Sequence, residues 1–415
     1  MDPLSHPEPP PPDEKHWLNR TVLSIGLASM FGDIGYEMAT AVLPVLIALI
    51  GAGPAVLGLV EGMADLLSSG AKLGSGMMGD RLRPRRVWGG AMYLVTGLAT
   101  TAFGFINSAI WLIAAKSFGW LGKGWRSPLK DALLADDTDK RNYGKAYGFE
   151  RMGDTTGAVI GPFLAVAIIL ATGNVRHVFW YSIIPAILAA ICLTFGARER
   201  YLTTHEAKTS PFRHWAEMEP AFKRWLLAIG VFGAGDFSKT MLILWALGTA
   251  TRIPAHGPYS LRVLLPILLY AAYNIVGAVS AYVTGALSDR FGRKWLLVGG
   301  YACGVAAAVI LALTPPALPA MIAVFFLAGV CVGTEEAVEK ATGADYLTPA
   351  QRTMGFGILA TVTGIGDFIS SALVGALWAA TRSPAAGFGV AAVIMLVGTI
   401  MLASLPGVKR EEGAQ

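Results

Sequence analysis

The chain has 415 residues, of which 54% are hydrophobic and only 15% are charged. With a mean hydropathy of +0.54, this composition gives more apolar surface than the core of one soluble protein buries, and it predicts a polytopic membrane protein. The net charge of +5 would suit a nucleic-acid partner only if it were concentrated on one surface, but the longest stretches of the chain are uncharged. We therefore exclude nucleic-acid binding.

The chain begins with a proline-rich segment, PEPPPPDEK, which predicts a disordered cytosolic tail over residues 1–17. After it come apolar runs of roughly 20 to 30 residues, each long enough to cross ~30 Å of hydrocarbon as a helix. Helices are required, because lipid offers no hydrogen-bond partner to the backbone. We predict an all-α membrane protein whose twelve helices span residues 21–50, 54–79, 87–107, 109–135, 146–171, 177–196, 224–250, 263–288, 295–314, 317–346, 353–380 and 384–405.

The distribution of basic residues predicts the orientation. Of the 33 Lys and Arg residues, 21 fall in the tails and loops on the side of the N-terminus and four in the loops of the other side. The positive-inside rule then places both termini in the cytosol of a cell whose inner membrane holds the protein. The longest loop, residues 197–223, becomes a cytosolic linker between two six-helix bundles, 18–196 and 224–405, and residues 406–415 form a second cytosolic tail.

The two predicted bundles are related in sequence. GMMGDRLRPRR, from Gly76, matches GALSDRFGRK, from Gly285, at an offset of 209 residues, and the same offset pairs Asp136 with Asp345. Six spans separate the copies, so the repeated loops face the same side of the membrane. This is the symmetry of the two halves of a transporter that works by rocking one bundle against the other.

From about Trp17 to Leu405 the sequence resembles the major facilitator superfamily, whose signature loop after the second helix reads G-x-L-a-D-R-x-G-R-R/K. The first copy departs from that pattern at Arg83 and Pro84. The resemblance implies two six-helix bundles around a central cavity, a functional monomer, and a loop aspartate that steadies the outward-facing state. The matching residues are Gly285, Asp289, Arg290, Gly292 and Arg293 in the second copy, and Gly76, Asp80, Arg81 and Arg85 in the first.

The fifth predicted helix carries a second, partial match. GDTTGAVIGP, from Gly153, is similar to the Gly-Pro signature of the antiporter branches, but Phe163 and Leu164 replace its terminal glycines. Small residues spaced four apart also allow two membrane helices to pack closely. Both interpretations remain open from the sequence.

Charged residues inside the predicted spans are unusually frequent, with twelve acids and eight bases when Arg224 and Asp345 at the span ends are left aside. A charge at the bilayer centre costs ~2.5 to 3.5 kcal/mol even on the lenient insertion scale, so these groups indicate ion pairs and a polar cavity. Twelve minus eight leaves four carboxyls without a basic partner. Such carboxyls tend to take up a proton, which a proton-coupled cycle requires.

Helical spacing selects the candidates among these charges. Asp33 and Glu37 lie four apart on one face of the first helix, beside Tyr36, and we predict them as the proton or cation site. The alternative is that they form buried ion pairs with Lys or Arg from a neighbouring helix. Glu150 and Asp154, on the glycine face of the fifth helix, are second candidates, because Arg151 cannot neutralise both. Asp236 is a further candidate, although its spacing to Lys239 favours a local ion pair. The eighth helix adds Asn274 as a residue that lines the cavity.

The fourth and tenth helices carry opposite charges at matched positions. Under the offset of 209, Arg126 matches Glu335, Lys130 matches Glu339, and Asp131 matches Lys340. We expect these pairs, with Glu336 beside them, to close the cytosolic side of the cavity and to separate when the halves rock apart. The alternative is that both helix ends are simply solvated.

These features favour a proton-coupled secondary transporter that exports a small molecule by H⁺ antiport. Uptake by H⁺ symport and carboxylate-based export of a metal cation remain alternatives. A membrane-embedded enzyme is disfavoured, because all six histidines lie in the tails, loops or span ends and none is placed within the membrane to build a triad or an HExxH site. The predicted partners are a small-molecule substrate, protons and the lipid bilayer, with no cofactor, no resident metal and no redox role for the three cysteines.

Overall fold

The computed structural model describes residues 17–78, 84–139, 142–199, 218–248, 259–347 and 352–406. Within these ranges the chain forms twelve helices joined by short connections. They are α1 (Arg20–Leu49), α2 (Pro54–Met78), α3 (Arg85–Ala102), α4 (Ala109–Asp136), α5 (Tyr143–Thr172), α6 (Arg176–Tyr181, Ile183–Ile191 and a π-helical turn, Cys192–Gly196), α7 (Pro220–Gly233 and Lys239–Leu247), α8 (Leu261–Phe291), α9 (Arg293–Leu313), α10 (Leu318–Thr334, a π-helical turn, Glu335–Glu339, and Lys340–Asp345), α11 (Arg352–Thr381) and α12 (Pro384–Ser404).

The all-α architecture with twelve helices is confirmed, and most helix ends fall within a few residues of the predicted ones. Eight of the helices in the described ranges, α1, α5, α6 and α8 to α12, are long and apolar enough to cross a membrane by composition alone. Among the others, α2 and α4 carry charged residues that line the cavity described below. The predicted tails and most of the predicted linker lie outside the described residues.

The helices run alternately between two faces of the molecule. Arg20 begins α1 on the face that also holds the end of α12, which we call the terminus face. Asn19 caps α1 there, since its side-chain oxygen accepts a hydrogen bond from the backbone N–H of Val22 at 2.9 Å. The 30 residues of α1 then extend about 45 Å to the opposite, far face at Leu49.

The first half, α1 to α6, and the second half, α7 to α12, meet mainly where α2 packs on α11 and α5 packs on α8. Small residues allow these helices to approach closely. A Cβ atom on Gly58 of α2 would lie 2.2 Å from the backbone oxygen of Ser371 on α11. One on Gly375 of α11 would lie 2.5 Å from the oxygen of Pro54. The α2–α11 interface is therefore a contact between backbones, which larger side chains would separate.

The apolar core is continuous on one face and divided on the other. Toward the far face, one cluster joins both halves and includes Leu46 and Leu57 with Trp245 and Ile267. Toward the terminus face, the halves have separate clusters, around Ile25 in the first half and Trp225 in the second. We conclude that the halves are packed together at the far face and apart at the terminus face.

The predicted seventh span was wrong in one respect, because α7 is not continuous. It begins at Pro220, four residues before the predicted start, and breaks over residues 234–238 before resuming at Lys239. Gly235 lies so close to α12 that a Cβ atom there would be 2.7 Å from the oxygen of Ala391. Ser238 then caps the second segment through the N–H of Thr240. The close contact of Gly235 with α12 and the new N-cap at Ser238 thus interrupt an otherwise apolar helix.

The glycines of the partial antiporter match face α1. A Cβ atom on Gly153 would lie 2.3 Å from the oxygen of Gly26, and one on Gly157 would lie 2.4 Å from the oxygen of Met30. Helix α5 therefore packs on α1 through its glycine face, as the packing interpretation predicts. Gly161 continues the same contact at the level of Glu37.

The two signature loops place basic residues against the ends of α4 and α10. Arg85 binds Asp136 at 2.7 Å, and Arg293 binds Asp345 at 2.6 Å. The acidic partners keep the offset of 209, but the arginines differ by 208, so Arg85 takes the position that the repeat assigns to Pro84. Gly76 ends up in the last turn of α2, and Gly292 joins α8 to α9 with a φ of +86° that suits glycine. Asp80, Arg81 and the side chains of Asp289 and Arg290 lie outside the described residues.

Candidate functional site

A cavity of about 980 Å³ lies between the two halves, bounded toward the far face by the shared apolar cluster. Its deep end is at the level of Thr40 and Glu61, and its mouth is lined by Gly148, Tyr282 and Lys340 near the terminus face. Its volume is at the upper end of the range typical of small-molecule sites. The protein is thus open to the terminus face and closed to the far face.

One buried link crosses between the halves at the deep end of the cavity. Glu37 of α1 accepts a hydrogen bond from Lys239 of α7 at 2.7 Å and a second, short one from the hydroxyl of Tyr270 on α8. Glu37 is 3% exposed, and the cavity reaches the side chain of Lys239. Because both oxygens of Glu37 bind groups of the other half, this carboxylate connects the halves where the cavity meets the far-face cluster.

Asp33 lies one helical turn from Glu37 and lines the same cavity. It makes no hydrogen bond or ion pair with any residue that the structure describes, and its nearest charged neighbours include Lys123 and Arg126. Tyr36 stands between the two acids, with the Lys123 ammonium 3.6 Å from its ring centroid. A carboxyl with this setting is accessible from the cavity and close to two cations without being bound to either.

The remaining acids of the first half are mostly bound within that half. Lys116 of α4 binds Glu61 of α2 at 2.7 Å, with side-chain exposures of 1% and 5%. Lys130 of α4 makes a short ion pair with Glu150 of α5, and Ser29 donates to the same carboxylate at 2.9 Å. These pairs tie α4 to its neighbours inside the first half.

The prediction that Arg151 leaves one of Glu150 and Asp154 without a cation was therefore wrong. Lys130 neutralises Glu150 and lies 4.0 Å from Asp154, which also has the guanidinium of Arg151 at 3.7 Å. The prediction considered only charges on the same helix and missed Lys130, which reaches α5 from α4.

Two cations of α4 point into the cavity without forming an ion pair to a described carboxylate. Lys123 stacks on Tyr36, as stated above, and Arg126 lies with its guanidinium 3.9 Å from the ring centroid of Tyr93. Arg126 is 6% exposed and has a long contact of 3.4 Å with the hydroxyl of Thr96. Aromatic faces thus hold both cations in place.

The second half presents carboxyls in contact with each other. Asp236, in the break of α7, and Glu335 of α10 lie side by side, within reach of a hydrogen bond between their side chains. Such a hydrogen bond can form only when one of the two carboxyls is protonated, because ionised carboxylates only accept hydrogen bonds. Asp367 of α11 lines the same cavity, and none of the three forms an ion pair with a cation in the described ranges.

The predicted local pair between Asp236 and Lys239 was also wrong. Asp236 lies in the non-helical break, so the helical spacing on which the prediction depended does not exist there. Lys239 is the first residue of the second α7 segment and turns to Glu37 instead. Tyr270, which completes that link, was missed, because a tyrosine in an apolar run gives no signal that distinguishes it from a packing residue.

The predicted pairs between α4 and α10 are not formed in this open conformation. Lys130 binds Glu150, and Glu339 accepts a hydrogen bond of 2.9 Å from Tyr301 within its own half. Asp131 is exposed at the end of α4, with Lys340 among its charged neighbours. Besides the link at Glu37, the halves are joined by a short, half-exposed ion pair of Arg151 with Glu336 and by a hydrogen bond of 2.7 Å from Asn274 to the oxygen of Ala158.

The described residues contain no group of three or more His, Cys, Asp or Glu side chains arranged to hold a metal ion. The carboxyls of the cavity are instead spread over both of its walls. The geometry thus describes a water-accessible cavity between two related six-helix halves, closed at one face and lined by charges of both signs.

Comparison with known proteins identifies the family. The model of the Major Facilitator Superfamily matches residues 25–261 and again residues 258–415, nearly one match for each half. The chain belongs to the major facilitator superfamily. It is therefore a multi-pass membrane protein and a secondary transporter of a small molecule, not an enzyme, and the fold predicted from its signature loops is confirmed.

The relatives of this superfamily member support the same conclusion. It is 27% identical over 393 residues to an uncharacterized MFS-type transporter of Methanocaldococcus jannaschii, covering 93% of this chain and 94% of the relative. It is also 27% identical over 279 residues to a probable 4-methylmuconolactone transporter of Cupriavidus pinatubonensis, covering 63% and 61% of the two chains.

Solved structures show the same fold at low identity. One is a bacterial homolog of the human lysosomal transporter Spinster, with a TM-score of 0.72, 17% identity and coverage of 92% of this chain and 95% of the other. Another is the nucleoside transporter NupG, with a TM-score of 0.73, 10% identity and coverage of 93% and 98%.

Proposed function

We propose that this transporter is coupled to protons and exports a small organic solute by H⁺ antiport, with its terminus face in the cytosol of a cell whose inner membrane holds it. The excess of Lys and Arg in the loops of that face supports the orientation. The cavity then opens to the cytosol and is closed to the outside. The observation that carries the proposal is the link of Glu37 to Lys239 and Tyr270, a titratable group whose ionised form joins the halves.

A proton on Glu37 would weaken this link, because a neutral carboxyl loses its ion pair with Lys239 and keeps only hydrogen bonds. The far-face contact between the halves would then depend on the apolar cluster alone. Asp33, one turn nearer the mouth, faces the cavity without a partner among the described residues and can pass protons from Glu37 to the cytosolic cavity. We infer that these two acids take up protons while the far face is open, and that release of those protons to the cytosol restores the link that holds the far face closed.

The direction of exchange rests on the carboxyls Asp236 and Glu335. Their side chains are close enough to share a proton while the cavity is open to the proposed cytosol. A proton that has arrived from outside can leave from this position, and a solute that needs the ionised carboxyls can then bind. Proton and solute thus compete for the same groups, which is the condition for antiport.

The solute is an organic molecule in this proposal. The relative named as a probable 4-methylmuconolactone transporter supports an organic solute over a metal cation. The absence of a metal-holding group among the described residues is consistent with that choice.

Closure of the terminus face would bring α4 and α10 together. Arg126 and Glu335 line the cavity from these two helices and carry opposite charges, so we propose that they pair in the closed conformation. Reversing either charge should abolish transport, and reversing both, with Arg126→Glu and Glu335→Arg, should restore part of it. A double variant as inactive as the single ones would contradict the pairing.

The coupling is tested in proteoliposomes that contain a pH-sensitive dye, with solutes added outside from a panel of amines, carboxylates, amino acids and divalent metal salts. Antiport predicts that a transported solute makes the interior more alkaline, and symport predicts that it makes the interior more acidic. Asp33→Asn and Glu37→Gln should each reduce the pH change by about 10-fold or more, equivalent to one lost charge interaction.

Lys145→Gln provides the control, because Lys145 is exposed near the start of α5 and does not line the cavity. Its pH change should equal that of the unaltered protein. Solute uptake without any pH change, or an unaltered pH change in both acid variants, would remove proton coupling through α1 from the mechanism.

A further inference from the structure

The charges that remain unbound in the cavity are sorted between its two walls. We call the surface contributed by α1, α2, α4 and α5 the N-half wall, and the surface contributed by α7, α8, α10 and α11 the C-half wall. Lys116, Lys130 and Lys239 are held in ion pairs, so they are not free to bind a solute. The charges without such a partner decide which solute the cavity accepts.

On the N-half wall, the cations in excess are at mid-depth. Lys123 and Arg126 lie 14 and 17 residues into the 28-residue helix α4 and form no ion pair with a carboxylate in the described part of the chain. Asp33 is their nearest acid, and Asp65 of α2 faces Lys72 nearer the mouth. Among the described residues of this wall, three cations without an ion pair (Lys72, Lys123 and Arg126) therefore stand against two such carboxyls (Asp33 and Asp65).

On the C-half wall, carboxyls are in excess at the same depth. Asp236, Glu335 and Asp367 face the cavity, and none of them forms an ion pair with a cation among the described residues. Lys340 is the cation of this wall that has no described ion pair, and it lies toward the mouth. Tyr273 and Phe237 add aromatic surface beside the carboxyls.

We propose that the transported solute is a zwitterion that carries a carboxylate and an amine on one small organic molecule. Its carboxylate would bind Lys123 and Arg126, and its ammonium group would bind Asp236 and Glu335 on the opposite wall. Such a molecule satisfies buried charges of both signs, whereas a simple anion or cation leaves one wall unpaired at a high cost in free energy.

This assignment rests on the proposed transport function and adds to it a reason for the two conformations. A zwitterion between α4 and α10 neutralises Arg126 and Glu335 at once, so the walls can approach with the solute bound. Without the solute, the same two residues can approach only by pairing with each other. Either way, closure of the terminus face requires that these charges be compensated.

The test measures binding to the full-length protein in detergent, without a gradient, by thermal shift and tryptophan fluorescence. Its probes are matched triplets on aliphatic, phenyl and indole scaffolds, each with an amine, a carboxylate and the amino acid that carries both groups. In at least one triplet, the amino acid should bind about 10-fold or more tightly than either singly charged member. Equal binding of a singly charged member in every binding triplet, or binding of none of them, would overturn the proposal.

Variants assign the two ends of the solute. Arg126→Gln should reduce the affinity for the amino acid to that for the matched amine, and Glu335→Gln should reduce it to that for the matched carboxylate. Lys145→Gln and Glu219→Gln, both exposed and outside the cavity, are the controls and should leave the affinities unchanged. Equal losses for all three probes in both variants would show a structural effect and contradict the assignment.

This experiment separates the two proposals. Zwitterion binding without any proton movement in proteoliposomes would retain the solute class and reject proton coupling. Proton movement driven only by simple amines or simple carboxylates would retain proton coupling and reject the zwitterion as the solute.

Discussion

Lys116 and Glu61 are bound to each other at 2.7 Å in the interior of the first half, while Asp236 and Glu335, in the second half, lie against each other without a cation from the described residues. Both pairs lie between elements of one half, but they respond differently to a proton or a solute. An ion pair whose side chains are at most 5% exposed holds its two helices together. Two carboxyls that face a cavity can exchange their proton for a cation. The comparison separates the structural charges of this protein from the functional ones.

The largest effect should come from breaking the structural pair. Lys116→Met leaves Glu61 buried without a cation, and breaking a buried ion pair on one side destabilises a protein by ~3 to 5 kcal/mol. The thermal unfolding temperature in detergent should fall accordingly. In the double variant with Glu61→Met, both charges are gone, and most of the lost stability should return. A double variant no more stable than the single one would show that Lys116 acts through its contact with Trp120 instead.

Transport should respond most strongly to the link between the halves. Lys239→Gln removes the cation of Glu37 but leaves Tyr270 in place, and we expect solute-driven pH changes in proteoliposomes to fall by about 10- to 100-fold. The unfolding temperature should change less than in Lys116→Met, because Lys239 is partly exposed to the cavity. Tyr270→Phe is the matched variant, since it removes only one hydrogen bond, and its effect should be the smaller. Equal transport in both variants and the unaltered protein would contradict a role of this link in conformational change.

The sequence was sufficient for the fold and for the inventory of intramembrane charges, because apolar runs and a repeated loop are local patterns. It was not sufficient for the pairs. Which acid Lys130 or Lys239 binds depends on how neighbouring helices are rotated and on the reach of a long side chain, and neither is encoded in the spacing along one helix. The break of α7 was equally hidden, because Gly235 is required by contact with α12 rather than by any local turn signal.

The contact between Asp236 and Glu335 gives a prediction that distinguishes the carboxyls of the two halves. Asp236→Asn keeps a hydrogen bond to Glu335, because the amide can donate to the carboxylate, so stability should change by less than about 1 kcal/mol. Proton release in exchange for solute should nevertheless fall about 10-fold, because the amide holds no exchangeable charge. Glu61→Gln, a matched change in the first half, should do the opposite, with a clear loss of stability since Lys116 loses its buried counter-charge. Similar stability of the two variants would remove the distinction between structural and functional carboxyls.

The smallest effect is expected at the mouth, where Arg151 and Glu336 form a salt bridge across the halves with side-chain exposures of 52% and 47%. Exposed ion pairs contribute about 0 to 1 kcal/mol, since water screens them and two long side chains must be ordered. Arg151→Gln should therefore leave the unfolding temperature and the affinity for solute nearly unchanged. Its effect should appear instead in the rate of exchange, because this pair forms a bridge over the open cavity and must separate or shorten whenever the halves move. Arg151 also lies 3.7 Å from Asp154 within the first half. A large loss of stability in Arg151→Gln would mean that this second contact is the important one, and that Arg151 has a structural role like that of Lys116 and Glu61.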